Sequence, residues 1–284
     1  MKLSSGIDWI SATFPADYNQ KWQSTILPFE GKGIETRGHM GYTIAQRFIT
    51  GAIMMFNPDR PDMGIYVSYS SAAIQSANAD FDCTDEMLLH WLSRHGRISR
   101  LDVRLDARDI DINIRTLYRR ALNNRVRTQT RSISYVDSAE IGNEKGAETC
   151  YIGSMKKRKK LLRVYDKAAQ LGTGECHTRF ELETHGRIAL NAAKTLKSAN
   201  FGDYGALIRG MIKRYCEWFD YLPAKRIFDD MSPVMIDVPA HVYGDTDKWL
   251  LDTVAPTLAR QVLITPGLLT EFMVRVSDAL KDGS

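Results

Sequence analysis

Cysteine is scarce in this chain of 284 residues: Cys83, Cys150, Cys176 and Cys216 are all there is, and no two form a CxxC pair. With six histidines equally scattered, zinc-finger spacing is absent, and a disulfide framework is not expected at this size. The thiols are expected to be reduced and mostly structural. Nowhere is there an apolar run of the roughly 20 residues a membrane span needs. The start, Met1-Lys2-Leu3-Ser4-Ser5-Gly6-Ile7-Asp8, lacks the apolar core of a signal peptide, so a soluble cytoplasmic protein with no membrane partner is expected. Repeats of solenoid period, Pro- or Ser-rich linkers and low-complexity tracts are missing too.

What is present is ordinary globular material, 44% hydrophobic and 25% charged, longer than a typical single domain and short of two. The net charge of +4 says little, but its distribution says more. Between Arg94 and Arg131 lie eleven arginines and four acids, and between Met155 and Lys167 seven basic residues and one acid. Such local excess points to an anionic partner, nucleic acid above all. A solvated basic face would give the same count.

Strand signals dominate the first two thirds. They cover Ile7–Phe14, Tyr42–Ala45, Ala52–Phe56, Ile65–Tyr69, Ile98–Ala107, Leu161–Lys167 and Thr178–Thr184. Thr84 can cap a helix running to His95 with Met87, Leu88, Trp91 and Leu92 on one face, and a second helix spans Asn113–Leu122. After His185 the pattern turns helical, near 187–197, 204–219, 247–258 and 268–280. The expected fold is α+β: an antiparallel sheet core over 1–186, with a helical region 187–284 packed on or extending it.

Three strands alternate in an unusual way. Leu101, Val103 and Leu105 oppose Arg100, Asp102, Arg104 and Asp106; Leu162 and Val164 oppose Arg163, Tyr165 and Lys167; Phe180 and Leu182 oppose Arg179, Glu181 and Glu183. A solvent-exposed sheet face alternates in the same way. These polar faces, however, mix carboxylates with arginines and hold few Ser, Thr or Lys residues, and the middle strand sets a tyrosine between two cations. Carboxylates on adjacent strands can converge on a hard divalent ion, cations beside them can hold phosphates, and a tyrosine can attack phosphorus.

Tyr151-Ile152-Gly153-Ser154, Leu162-Arg163-Val164-Tyr165-Asp166-Lys167 and Arg179-Phe180-Glu181-Leu182-Glu183, in that order, resemble the core of the rolling-circle replication initiation factor family. That family takes in plasmid Rep proteins, initiators of some filamentous phages and related conjugative relaxases. Supporting blocks are Asn57–Gly64 and Ile98–Asp106, so the resemblance spans roughly Ile7 to Gly186. Two departures stand out. The family's common Ser-Gly pair after the strand ending at Tyr69 is replaced by Ser70-Ser71-Ala72, and the His-x-His triplet of the HUH nickases is absent.

The resemblance implies an HUH-nickase-like architecture and site-specific cleavage of one DNA strand, through a 5′-phosphotyrosyl link that leaves a free 3′-hydroxyl. Tyr165 is then the nucleophile, with Lys167 beside it and Tyr151 as the second candidate. A divalent ion, Mg²⁺ or Mn²⁺, is implied, with Asp102 and Glu181 as first-choice ligands and Asp106 and Glu183 second; each has a neighbouring arginine as its alternative partner. His185 is a further candidate ligand. Arg100, Arg104, Arg163 and Arg179, with the run Lys156-Lys157-Arg158-Lys159-Lys160, are candidate DNA contacts. Arg100, Arg163, Arg179 and Lys167 are expected to clamp phosphates or lower the tyrosine pKa. The implied partners are origin DNA, single-stranded or a hairpin at the nick, a second copy of the chain, and a host helicase. A conjugative relaxase with the same chemistry, or a non-catalytic DNA-binding regulator on the same scaffold, are the alternatives.

Overall fold

The computed structural model describes residues 1–16, 31–140, 143–156, 159–198 and 203–236. The chain divides into two compact units, Met1–Asp237 and Val238–Ser284, and all described residues fall in the first. The helices expected at 247–258 and 268–280, and the residues Lys157 and Arg158, lie outside the described residues.

The architecture is α+β, built on a ten-stranded antiparallel sheet. Its strands are β1 (Lys2–Phe14), β2 (Ile34–Arg37), β3 (Ile44–Arg47), β4 (Ile53–Phe56), β5 (Ile65–Tyr69), β6 (Arg97–Arg108), β8 (Ile133–Glu140), β9 (Asn143–Ile152), β10 (Lys160–Asp166) and β11 (His177–His185). The order across the sheet is β2-β3-β4-β5-β1-β6-β11-β10-β9-β8. The short β7 (Arg127–Thr128) pairs separately with β12 (Cys216–Glu217). The helices are α1 (Ser71–Phe81), α2 (Asp85–His95), α3 (Ile114–Leu122), α4 (Lys167–Leu171), α5 (Gly186–Lys197), α6 (Tyr204–Tyr215) and α7 (Leu222–Phe228).

One face of the sheet is apolar. Ile10, Leu101, Val103, Leu105, Val164, Phe180 and Leu182 pack with Leu88, Leu89 and Leu92 of α2, the alanines of α5, and Ile208, Met211 and Ile212 of α6. The turn of α2 that faces inward is thus Leu88-Leu89-Leu92, whereas Met87 and Trp91, expected on that face, are exposed. Thr84 caps α2 as its hydroxyl suggested, accepting from the Met87 amide at 3.2 Å, and Asp85 and Glu86 sit favourably at the positive end. Where the family's Ser-Gly pair is missing, Ser70 instead caps α1, accepting from the Ala73 amide.

The expected helix 204–219 breaks at Tyr215 into β12, and Trp218 then turns into the core, its indole NH donating to the Leu117 carbonyl at 3.0 Å. Trp218 and Phe228 meet Phe180 edge-on at 6.2 and 5.5 Å. Truncating an aromatic at this junction should cost about 3–5 kcal/mol. This packing fixes β11 against the helical layer, and so fixes the residues on its other face.

A candidate active site on the polar face of the sheet

Strand β11 lies between β6 and β10, so its polar side chains are hemmed in on both flanks. The register sets Glu183 opposite Asp102 and Arg179 opposite Asp106 on one side, and Glu181 opposite Arg163 and Arg179 opposite Tyr165 on the other. Directly opposed residues share a face, so the alternation read from three separate stretches becomes one continuous surface. Its acids are not solvated: Asp102, Asp106, Glu181 and Glu183 are buried together with Arg179, while Arg100, Arg104, Arg163 and Tyr165 are half-buried.

The surface carries two ion clusters. In the first, Arg179 grips Asp106 with two bonds, Nε to Oδ1 at 2.7 Å and a terminal nitrogen to Oδ2 at 3.0 Å. Arg104 and His177 also reach Asp106, His177 Nε2 at 2.9 Å. The second terminal nitrogen of Arg179 holds Asp8 at 2.7 Å. Burial alone would raise the pKa of Asp106, but the Arg179 and Arg104 charges and the hydrogen bonds from Arg179 and His177 outweigh it and hold the carboxyl below its ordinary value.

In the second cluster, Arg163 reaches Glu181 Oε1 directly and lies 3.7 Å from both Asp102 and Glu183. Arg100 binds Asp102 at 2.6 Å and stacks over the Trp9 ring at 4.4 Å. His185 bonds Glu183 at 2.8 Å. Here the balance tips the other way for two groups. Burial pushes Asp102 up to about 6 despite Arg100, and burial raises Glu181 despite Arg163. Glu183, bonded to His185 and flanked by both arginines, stays below its usual range although burial opposes this.

Tyr165 joins the second cluster, its hydroxyl donating to Glu181 Oε2 at 3.2 Å. Contrary to the expectation that nearby cations lower its pKa, the phenol is raised. Burial is the main cause and the Glu181 charge adds to it, together outweighing Arg179 and Arg163. Lys167 is not on the strand as expected. Asp166 ends β10 by capping α4, so Lys167 opens that helix, with its ammonium 5.9 Å from the Tyr165 ring centre. Tyr151 pairs with Arg163 across β9, on the same face as Tyr165.

Of the basic run, Lys156 and Lys159 are exposed, and the Lys159 carbonyl accepts from the His185 amide at the end of β11. Lys160 is partly buried, bonding Gln129 at 2.6 Å over the Tyr215 ring. Arg179, expected to touch DNA, is almost wholly buried with its guanidinium engaged by Asp106 and Asp8.

Asp8 and His177 escaped the reading of the sequence. Asp8 is the extra residue of a β-bulge: Ile7 pairs with Val103 and Trp9 with Asp102, leaving Asp8 unpaired. Strict alternation from Ile10, Ala12 and Phe14 would send Asp8 to the core; the bulge turns it to the polar face instead. The adjacent large apolar pair Trp9-Ile10, which breaks the alternation, was the available signal.

Among the described residues no group of three or more His, Cys, Asp or Glu side chains is gathered closely enough to hold an ion by itself. Magnesium needs less, since it keeps several waters and binds through one or two carboxylates plus phosphate. Asp102 and Glu181 fit that requirement. Both are buried and under-neutralised, and the cation between them, Arg163, leaves its own buried Nε without a hydrogen-bond partner. Asp106 does not fit, because both its oxygens are already engaged, Oδ1 by His177 and Arg179 and Oδ2 by Arg104 and Arg179.

Residues 96–265, more than half of the chain, match the family model described as Replication initiation factor. Among solved structures, the rolling circle replication initiator protein from Geobacillus stearothermophilus is similar, with a TM-score of 0.64 and 19% identity over 83% of this chain and 94% of that one. At that identity the likeness speaks for the fold. No curated protein gives a significant match.

Proposed function

Because the chain belongs to the replication initiation factor family of rolling-circle Rep proteins, we propose that it starts replication by nicking one strand of its origin through a covalent link to Tyr165. The observation that carries this reading is the Tyr165–Glu181 hydrogen bond, within a buried cluster that has more carboxylate than guanidinium charge. A phenol with a raised pKa is a poor nucleophile until its proton has somewhere to go, and Glu181, in contact with it and itself made more basic by burial, is the nearest acceptor.

The phenol oxygen of Tyr165 attacks the phosphorus while its proton passes to Glu181 Oε2. The bond from phosphorus to the 3′-oxygen breaks, that oxygen takes up a proton from water, and the 5′-phosphate stays on the tyrosine. Lys167 and Arg163, on either side of Tyr165 in the chain, would meet phosphate oxygens, Arg163 on leaving its carboxylate partners. Asp102 and the Oε1 side of Glu181 would hold a divalent ion, Mg²⁺ or Mn²⁺. When bound, such an ion neutralises charge gathering on the scissile phosphate. The exposed Lys156 and Lys159, the latter tied by its carbonyl to the end of β11, supply a backbone grip on the DNA without reading its sequence.

The test is a nicking assay on supercoiled DNA that carries the origin, with Mg²⁺. Wild type is expected to give open circles with protein attached. Tyr165→Phe should give none while binding the DNA within a few-fold, since the attacking atom goes and the groups that grip phosphate stay. Nicking by the Phe variant would refute the assignment.

A further inference from the structure

Arg163 stands directly opposite Glu181 in the β10–β11 register and faces three carboxylates at once: Glu181 in contact, Asp102 and Glu183 each at 3.7 Å. Asp102 and Glu183 already have Arg100, and Glu183 has His185 as well. Among the described residues Glu181 has no other guanidinium in contact, only the neutral phenol of Tyr165. Arg163 is therefore the charge that lets Glu181 and Asp102 stay close. It does so imperfectly, with its buried Nε unpartnered. A planar fork that satisfied this site fully would leave no such nitrogen.

From this geometry we infer that Arg163 is a resident counter-cation, occupying the place between Asp102 and Glu181 until a divalent ion displaces it, and that the displaced guanidinium then serves the scissile phosphate. The inference rests on the ion-holding role proposed above for Asp102 and Glu181. It makes ion binding and DNA binding cooperative through one side chain. The ion must evict Arg163, and a phosphate that accepts the evicted guanidinium makes the eviction easier. Side-chain couplings of this kind are commonly worth about 5–150-fold in affinity.

The measurement is Mn²⁺ affinity of the purified full chain, by electron paramagnetic resonance of the free ion, with and without a non-cleavable origin oligonucleotide. In wild type, the oligonucleotide is expected to tighten Mn²⁺ about tenfold or more. Arg163→Gln should bind Mn²⁺ about tenfold more tightly than wild type without DNA, and should lose most of the tightening by DNA. Its melting temperature, lowered in the absence of metal, should be raised by Mn²⁺ more than that of wild type. Arg163→Lys, which keeps the charge, should fall between the two and guards against a folding defect in the Gln variant. Unchanged or weaker Mn²⁺ binding in Arg163→Gln would overturn the inference. Asp102→Asn separates the two layers. If it abolishes Mn²⁺ binding while Arg163→Gln leaves it unchanged, only the counter-cation role fails; if it leaves Mn²⁺ binding intact, the ion site itself is misplaced and both fail.

Discussion

Two ion clusters share the polar face of one sheet, are built from the same residue types, and behave in opposite ways. Around Asp106 the charges are matched: Arg179 with two bonds and Arg104 face Asp106 and Asp8, and His177 adds a further hydrogen bond to Asp106. Around Asp102 and Glu181 the carboxylates are in excess, with Arg163 shared among three of them. In the first cluster the partners outweigh burial and depress Asp106; in the second they hold Glu183 down, but burial prevails at Asp102, Glu181 and Tyr165 and raises all three. Aspartate beside arginine therefore says nothing by itself about chemistry. The depth of burial, set against the partners that remain to offset it, decides which cluster is a clamp and which is poised to react.

The contrast can be broken by neutralising one acid on each side. Asp102→Asn and Glu181→Gln should each slow origin nicking at least about 10³-fold, roughly 4 kcal/mol, while the chain stays folded. Rates within a few-fold of wild type would dissolve the distinction. Asp106→Asn should instead act on the fold. It removes the two-bonded partner of the buried Arg179, leaving only Asp8, and should cost about 3–5 kcal/mol, read as a drop in melting temperature on the order of 10 °C. A fully stable Asp106→Asn protein would mean the first cluster is no clamp.

Acidity sharpens the comparison further. Asp106 and Glu183 have lowered pKa values, so the stability they add is present above the unfolded carboxylate value of about 4 and is lost as pH falls through their folded values. Asp102 and Glu181 are raised, so without metal the folded state holds their protons longer than the unfolded state does. Their effect is a fall in stability as pH climbs from about 4 through the Asp102 value of about 6. Denaturant titrations in the absence of metal should find Asp102→Asn gaining on wild type between about pH 4 and 7, and Asp106→Asn losing at every pH above about 4. Parallel pH curves for the two variants would contradict this.

Much of the face was legible in the sequence. β5 spans Ile65–Tyr69 as read, and β6, β10 and β11 extend their expected ranges by a residue at most ends, because alternation of Leu and Val with Arg, Asp and Glu carries its own phase. Of the candidate ligands, the first-choice pair is also the under-neutralised pair. Three things were hidden, each for a physical reason. Asp8 reaches the site through a bulge, which shifts the phase of its strand. The β8–β9 hairpin was missed because its residues show no clean apolar alternation, with Val136 exposed and Gly146 and Ala147 within β9. The sign of the Tyr165 shift depends on burial depth, and burial follows from β11 lying inside the sheet rather than at its edge.

The smallest expected effect lies outside both clusters. Lys156→Ala with Lys159→Ala should weaken binding to all DNA alike and flatten the salt dependence by up to roughly 0.7–0.9 log unit of slope for each phosphate no longer neutralised. Loss of origin preference with normal binding to random DNA would make this turn a reader of sequence.

The central claim is that the second cluster is the chemical one, with Tyr165 as its nucleophile. It is tested most directly by trapping the protein–DNA adduct on a suicide origin oligonucleotide, digesting both components, and locating the nucleotide-bearing residue by mass spectrometry. The account predicts the added mass on Tyr165, within the peptide that follows Arg163. Nucleotide on Tyr151, which shares the face through its pairing with Arg163, or on any other residue, would contradict it.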